Sequence, residues 1–118
     1  MIDFETQAEI KISDTQRMVY EAARDFAVQY IKPKVMEWDE AQFFPRELFV
    51  KAAGLGFMGM LIPEEYGGSG MGYHEYVTLI QTISTVDPSI CLSIAAHNSL
   101  CTNHIYAFGN EMQRSKWL

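Results

Sequence analysis

Apolar residues recur at spacings of three and four along the stretch that follows residue 13. The members of this series are Val19, Ala22, Ala23, Phe26, Ala27, Tyr30 and Ile31. Such a spacing puts the apolar side chains on one face of an α-helix, which can then pack against a core. Ser13, with Gln16 three residues later, is a capping-box pattern and predicts that the helix begins there.

Two prolines divide the chain after this helix. Pro33 has no backbone N–H and disfavours the helical conformation in the residue before it, so we expect the helix to end or kink there. A short continuation carries the apolar positions of residues 35–38. Pro45 is a favoured first residue of a helix, and a second helix is expected to run from it to a stop at Gly54 or Gly56.

The segment 57–72 interrupts the helical pattern, because it is too rich in glycine to hold a helix. We expect an ordered connection there. Another helix comes next, marked by the apolar positions Tyr76, Val77, Ile80 and Ile83. Asp87-Pro88 ends it and supplies the cap and first residue of the next helix, which runs, with or without a break, to Gly109.

A last helix is predicted for residues 111–118, because Asn110 and Gln113 form another capping pattern. No C-terminal cap comes after it, so the chain is expected to stop in mid-helix. The sequence shows no strand-like alternation, internal repeat or low-complexity tract. The predicted fold class is all-α: a helical bundle of about five to six helices with one glycine-rich loop excursion.

The size and composition of the chain favour one packed domain. A length of 118 residues leaves room for one core, and 48% apolar with 20% charged residues is typical of a soluble globular protein. Seven methionines and fifteen aromatic residues are a generous apolar supply for this length. Either methionine side chains fill the core, or part of the apolar surface packs against something else, such as another domain or an acyl chain.

The charges and the cysteines exclude several classes of function. The formal net charge is −6 and the lysines and arginines are scattered, so nucleic acid is not an expected partner. No apolar run approaches the roughly 20 residues of a membrane span, and residues 1–7 lack the pattern of a signal peptide. Cys91 and Cys101 are too few for a disulfide framework, and we expect both to be reduced thiols in a soluble, cytoplasmic protein.

The glycines of residues 54–59 match the G-x-G-x-x-G spacing of a dinucleotide-binding turn. That turn needs a strand before it and a helix after it, whereas here a helix precedes it and Ile62-Pro63 comes after it. The glycine cluster 67–72 lacks the Gly-Lys-Ser/Thr ending of a phosphate-binding loop. Both clusters are interpreted as helix stops and turns, and no residue of this chain is predicted to bind a cofactor.

Two further sets of polar residues are candidates for catalytic or metal-binding groups. His97, Cys101 and His104 would share one face of a helix as three zinc ligands, but no fourth lies nearby in sequence, although a carboxylate or another histidine could supply one in space. They are interpreted as core thiol and hydrogen-bonded imidazoles, and no metal is predicted. Glu64 and Glu65 lie beside turn residues and are expected to be solvated, so no catalytic residue is assigned.

Several short motifs occur in a fixed order across nearly the whole chain. The most specific are Ile-Pro-Glu-Glu-Tyr-Gly-Gly-Ser-Gly at 62–70 and Gly-Asn-Glu-x-Gln-Arg-x-Lys-Trp-Leu at 109–118. The others are Arg-x-Phe-Ala at 24–27, Ile-x-Pro at 31–33, Phe-Pro-x-Glu-Leu at 44–48 and Gly-Leu-Gly-Phe-Met-Gly at 54–59. In this order and spacing they resemble the N-terminal domain of the acyl-CoA dehydrogenase family.

The resemblance implies that residues 1–118 are the N-terminal helical domain of an FAD-dependent acyl-CoA dehydrogenase, without its middle β-domain and C-terminal helical domain. In such an enzyme a glutamate takes the α-proton of the acyl-CoA while hydride passes from Cβ to FAD. By the same resemblance, FAD lies between the two missing domains, the enzyme is a homotetramer, and electron-transfer flavoprotein is its partner. The chain alone is therefore expected to be inactive and to retain no FAD.

The resemblance also implies a role for one helix face in this chain. The implied substrate-pocket residues are Leu92, Ser93, Ala96, His97 and Leu100. They match the helix whose residues line the far end of the acyl pocket in this family. The stretch 96–103 is closer to members that act on short or branched acyl-CoAs than to long-chain members. At Thr82-Ile83 the chain departs from the Glu-Glu of many members, which leaves open any charge contact made there.

Two other classes of function stay open at the level of sequence. One is a free-standing helical interaction domain without catalysis; the other is the N-terminal domain of a related acyl-CoA oxidase or flavin monooxygenase. The reading frame beyond Leu118 separates an enzyme from a free-standing interaction domain. A β-domain with flavin contacts, followed by helices and a base glutamate, favours the enzyme, whereas a stop codon there favours the interaction domain.

Overall fold

The computed structural model describes residues 11–118. Its α-helices are α1 (Asp14–Phe26), α2 (Val35–Ala41), α3 (Arg46–Gly54), α4 (Tyr73–Ser84), α5 (Pro88–Ala96), α6 (Asn103–Phe108) and α7 (Glu111–Trp117). One π-helical turn, Ala27–Ile31, extends α1; a second, His97–Thr102, joins α5 to α6; and a 3-10 turn spans Glu64–Tyr66. Since α5, its π turn and α6 are continuous, the described residues form six separate helical rods and no strand. The predicted all-α fold is confirmed.

Only some of the expectations about signal peptides, membrane spans and cysteines can be compared with the structure. The signal-peptide expectation concerns residues 1–7, which lie outside the described range. Among residues 11–118, no helix is both long and apolar enough to cross a membrane. Both cysteines are free thiols, as predicted, with Cys91 buried and Cys101 exposed.

Capping residues set the first residue of three helices, as predicted. Ser13 Oγ accepts the backbone N–H of Gln16 at 3.1 Å, and the Gln16 side chain accepts the N–H of Ser13 at 3.0 Å. A reciprocal pair of the same kind caps α7. Ahead of α5, Asp87 Oδ1 accepts the N–H of Ser89 at 2.9 Å, and Pro88 is the first helical residue.

Pro33 ends the first rod as predicted, and a π turn precedes it. The N–H of Lys32 bonds to the carbonyl of Ala27, five residues back, at 2.9 Å. Pro33 has no N–H to donate, and the next donor, Lys34, bonds to the carbonyl of Ile31 at 2.9 Å. Ala27 and Ile31 are both fully buried, so the wide turn keeps the apolar series facing the core until the helix stops.

A glycine in the left-handed conformation stops α3. Gly56 has φ of 83°, and its N–H bonds to the carbonyl of Ala53 at 2.9 Å. The next N–H, that of Phe57, bonds to the carbonyl of Ala52 at 3.0 Å, which completes a Schellman motif. The other end of α3 differs from the prediction by one residue, because Pro45 lies just before the helix rather than in it.

The core forms where α1, α4 and α5 pack together. Its apolar residues are Val19, Ala23, Phe26, Ala27, Ile31, Leu48, Ala52, Phe57, Met60, Tyr76, Leu79, Ile83, Ile90, Cys91 and Ile94. Val77, one of the apolar positions that mark α4 in the sequence, is 47% exposed, whereas Leu79 is completely buried. The buried residues of α4 include Tyr76, Leu79 and Ile83, at spacings of three and four, and Val77 lies outside this series. The same spacing leaves Ala22 exposed beside the buried Ala23.

The glycine-rich segment 57–72 is ordered by bonds between its two halves, as expected. The N–H of Ser69 bonds to the carbonyl of Gly59, and the N–H of Gly70 to the carbonyl of Ile62, each at 2.9 Å. The Ser69 hydroxyl also donates to the carbonyl of Gly56 at 2.8 Å, which ties the segment to the end of α3.

Alanine at Gly68 is expected to destabilise the fold, and alanine at Gly54 to stabilise it. A Cβ at Gly68 would overlap the backbone carbonyl of Ile62, which cannot move aside, so we expect a loss of about 1–3 kcal/mol. A Cβ at Gly54, the last residue of α3, meets no atom within 4 Å, so a gain of about 0.5–1 kcal/mol is expected. Urea unfolding measures both. Equal stabilities would contradict the close approach at Gly68.

Candidate functional site

The five residues that the sequence assigns to a substrate pocket all lie on α5 and the π turn after it. This helix and turn belong to the continuous rod of α5, the π turn His97–Thr102 and α6. We use the name α5 face for the side of this rod that carries Leu92, Ser93, Ala96, His97 and Leu100. Leu92 is 70% exposed and Leu100 is 66% exposed, while the other three are half-buried. Residues 11–118 therefore leave the two large apolar side chains of the α5 face mostly uncovered.

The opposite side of α5 and the start of the π turn belong to the core. Ile90, Cys91, Ile94 and Asn98 are all buried, and α5 packs there against α4. Ala96 differs from these four because it is half-buried and is not enclosed in the domain's own core. Burial of one side fixes the rotation of the rod about its axis, and this rotation is what presents the α5 face outward.

The two more polar residues of the α5 face, Ser93 and His97, line two different grooves. Ser93 lines a groove that also includes the aromatic side chains of Trp38, Phe43 and Phe44. His97 lines a separate groove against the glycine-rich segment and Trp117. Among residues 11–118 the five residues of the α5 face therefore share a side of the helix but do not line one enclosed cavity.

Asn98 is a buried polar residue beside the α5 face that the sequence analysis did not single out. It is completely buried, and its Nδ2 donates to the carbonyls of Ile94 at 3.0 Å and of Phe57 at 2.8 Å. Its Oδ1 accepts the N–H of Met60 at 3.0 Å. One side chain thus joins the rod that carries the α5 face to the glycine-rich segment. Its sequence signal is weak: a polar residue four positions after the buried Ile94.

The three side chains considered as zinc ligands do not lie in the core. His97 is half-buried, and Cys101 and His104 are exposed, so the interpretation of Cys101 as a core thiol is wrong. The π turn has more residues per turn than an α-helix, and this shifts the residues after it away from the buried side. The His104 ring lies 5.7 Å from the ring of Phe108. In the part of the chain that the structure describes, no cluster of His, Cys, Asp or Glu has three members that could hold a metal.

Cys91 is the buried thiol of the core. Its Sγ donates to the carbonyl of Ile80 at 3.2 Å. Burial raises the pKa of the Cys91 thiol, and the nearby charge of Asp87 raises it further. The thiol therefore stays protonated at neutral pH and acts as a small apolar side chain.

Tyr66 connects the glycine-rich segment to α7. Its hydroxyl donates to Glu111 Oε2 at 2.7 Å, and its ring meets the ring of Tyr106 edge-on at 6.2 Å. The bond to the Glu111 carboxylate raises the pKa of Tyr66, because it stabilises the protonated phenol. Glu64 and Glu65 beside it are exposed, as predicted.

The glycine cluster 54–59 does not form a cradle for a dinucleotide. The helix α3 precedes it, and a turn lies where a phosphate-binding helix N-terminus would have to begin. The N–H groups of Gly56 and Phe57 already bond to carbonyls of α3. These residues do not fit the pyrophosphate of FAD, and no catalytic step is assigned to residues 11–118.

An all-α unit whose central rod has one uncovered apolar side is typical of a domain that packs within a larger protein. The comparison with known families specifies the class further. The chain belongs to the acyl-CoA dehydrogenase family: the family model for the acyl-CoA dehydrogenase N-terminal domain matches residues 13–118. This confirms the resemblance drawn from the sequence motifs.

Individual relatives cover nearly all of this chain. It is 36% identical over 109 residues to the mitochondrial isovaleryl-CoA dehydrogenase of Pongo abelii, covering 91% of this chain and 26% of that protein. Butyryl-CoA dehydrogenase from Megasphaera elsdenii superposes with a TM-score of 0.86 at 29% identity, covering 94% of this chain and 30% of that one. A chain in the structure of the electron transferring flavoprotein of Acidaminococcus fermentans superposes with a TM-score of 0.89 at 35% identity. The match covers 94% of this chain and 29% of that one. The chain thus spans between 26% and 30% of the length of these proteins.

Proposed function

We propose that this chain is the N-terminal helical domain of a longer, FAD-dependent acyl-CoA dehydrogenase. Such an enzyme is an oxidoreductase that introduces the α,β double bond into an acyl-CoA thioester. The family match over residues 13–118 supports this proposal, as do relatives named isovaleryl-CoA and butyryl-CoA dehydrogenase. A stand-alone interaction domain, or the domain of an oxidase or monooxygenase, is not favoured by these relatives.

Within that enzyme we propose that the α5 face forms part of the wall around the acyl tail. The observation that carries this proposal is the exposure of Leu92 and Leu100 on a rod whose other side is core. Each leucine left in water forgoes about 1.5–3 kcal/mol of transfer free energy, which an apolar partner would recover. None of the five residues is Lys, Arg, Asp or Glu, and an apolar tail fits such a surface.

The proposed substrate class is a short or branched acyl-CoA. Ala96 lies along the rod between the two exposed leucines, so a small side chain is flanked by bulky ones. This arrangement leaves space for an acyl group between the two leucines. The names of the isovaleryl-CoA and butyryl-CoA relatives, one a branched and one a short acyl group, support the same proposal.

The other components of the reaction are proposed to lie outside this chain. FAD would supply the hydride acceptor, and the base glutamate would belong to the C-terminal domain. We propose that the remaining domains cover the α5 face and the exposed side chains of Phe108, Met112 and Trp117. Electron-transfer flavoprotein is the proposed electron acceptor, supported by the likeness to a chain from a study of that protein. A cytoplasmic homotetramer completes the proposal.

Purified residues 1–118 are expected to be colourless, because the groups that hold FAD are proposed to lie in the other domains. The full-length protein, purified in parallel, is the control: it should carry flavin and lose its visible absorbance when isovaleryl-CoA or butyryl-CoA is added. Stoichiometric flavin on the 118-residue chain would contradict the absence of a cofactor site. A full-length flavoprotein that no acyl-CoA bleaches would contradict the proposed activity.

A further inference from the structure

We infer that Asn98 is a positioning residue for the acyl tail, acting through the π turn His97–Thr102 to set where Ala96 and Leu100 lie on the α5 face. The inference rests on the proposed function, since it concerns how the proposed pocket wall is held in place. Asn98 itself does not form that wall, because its side chain is completely buried on the core side of the rod.

The side chain of Asn98 fastens the rod to a second element. Its amide donates to the carbonyl of Ile94 on the rod and to the carbonyl of Phe57 on the glycine-rich segment. Its carbonyl oxygen accepts the N–H of Met60 on that same segment. A side-chain amide both donates and accepts, so asparagine satisfies three backbone groups at once, which an apolar residue of similar size does not.

The backbone of Asn98 also takes part in the π turn. The N–H of Asn103 bonds to the carbonyl of Asn98, five residues back, which defines the π turn. The hydroxyl of Thr102 donates to that carbonyl at 3.1 Å and to the carbonyl of His97 at 3.3 Å. A π turn inside an α-helix is rare and is frequent at functional sites, so it needs specific stabilisation. Asn98 and Thr102 supply it here.

The wide turn determines how the α5 face is composed. Ala96 directly precedes the π turn, and Leu100 lies within it. Tightening the turn to an ordinary α-helix increases the rotation per residue, so Leu100 within the turn and the residues after it rotate relative to Leu92 and Ala96. Leu100 would then take a different position on the α5 face and leave a different gap beside Ala96. The wall would change although no residue that contacts the tail had been replaced.

The test compares two identical substitutions in the full-length enzyme. Thr102→Val removes a hydroxyl that stabilises the π turn, and Thr82→Val is its matched control on α4. Both threonines are buried, 8% and 6% exposed, and both hydroxyls donate to the carbonyl four residues back. Asn98→Leu is the stronger variant. The measurement is kcat and KM across a series of acyl-CoA lengths, together with the melting temperature.

We expect Asn98→Leu to change the ratio of kcat/KM between tail-contacting and shorter acyl-CoAs by about tenfold or more, and Thr102→Val to change it in the same direction by a smaller factor. The change should fall on KM, because the tail wall contributes to binding rather than to the reacting atoms. Thr82→Val should lower the melting temperature without changing the ratio. If Asn98→Leu does not fold, the comparison of Thr102→Val with Thr82→Val still tests the positioning role.

An unchanged ratio in Thr102→Val, with a melting temperature lowered as in Thr82→Val, would overturn the inference and leave Asn98 as a core residue only. Ala96→Phe, measured in the same series, separates this failure from failure of the proposed function. A length-dependent effect of Ala96→Phe with none in Thr102→Val rejects only the positioning role. No length dependence in Ala96→Phe rejects the pocket wall and the positioning role together.

Discussion

Ala96→Phe in the full-length enzyme is expected to lower kcat/KM by about 10- to 200-fold for acyl-CoAs whose tails reach the α5 face. Each methylene forced out of an apolar pocket carries roughly 1–3 kcal/mol of discrimination, and the phenyl ring would occupy space that those methylenes need. The shortest substrates should be nearly unaffected, since the α5 face is proposed to lie far from the reacting carbon atoms. A kcat/KM series over acyl length measures the effect.

The matched control for this substitution is Ala107→Phe. Ala107 is exposed on α6, in the same rod but outside the α5 face, so the added ring should leave the dependence of kcat/KM on acyl length unchanged. A uniform loss of kcat/KM for all acyl-CoAs in Ala96→Phe, with a lower melting temperature, would mean that the ring overpacks the domain instead. Overpacking of that kind costs roughly 1–3 kcal/mol.

Leu79→Ala is expected to lower the free energy of unfolding by about 2–5 kcal/mol. Leu79 lies on α4 in the core formed with α1 and α5 and is completely buried, so its loss leaves a cavity as well as forgoing the transfer free energy of the removed atoms. For a domain of this size, whose total stability is about 5–15 kcal/mol, the loss is large. Urea unfolding of the 118-residue chain measures it.

Val77→Ala is the control on the same helix. Val77 is 47% exposed, so its truncation should change the free energy of unfolding by no more than about 0.5 kcal/mol. A loss as large as that of Leu79→Ala would show that another part of the protein covers Val77. A small loss in both variants would contradict the position of Leu79 in the core.

Local signals in the sequence were sufficient for most of the helix boundaries. The capping pair Ser13 and Gln16, the missing donor of Pro33 and the left-handed Gly56 each act on residues no more than five positions away. Their effect therefore depends little on the rest of the fold, and the structure confirms all of them. The same local reasoning correctly separated the glycines of residues 54–59 from a dinucleotide-binding turn.

Sequence reasoning placed the candidate site on a helix but did not determine its surroundings. Leu92 and Leu100 do share one uncovered side of the rod, while contact with an acyl tail stays a prediction. The exposure of Cys101 and His104 was missed, because a regular α-helical spacing was assumed through residues that form a π turn. No feature of the local sequence indicated the wider turn.

The sequence by itself determined an all-α domain, the positions of most of its helix ends and, through its motifs, its family. Only the tertiary structure decided the rotation of the rod that carries the α5 face and the hydrogen-bond partners of Asn98. The physical reason is the distance along the chain: Asn98 bonds to Met60 and Phe57, which are 38 and 41 residues away. Capping and periodicity describe neighbours within a few residues, whereas partners at such a separation are defined only when the helices pack together.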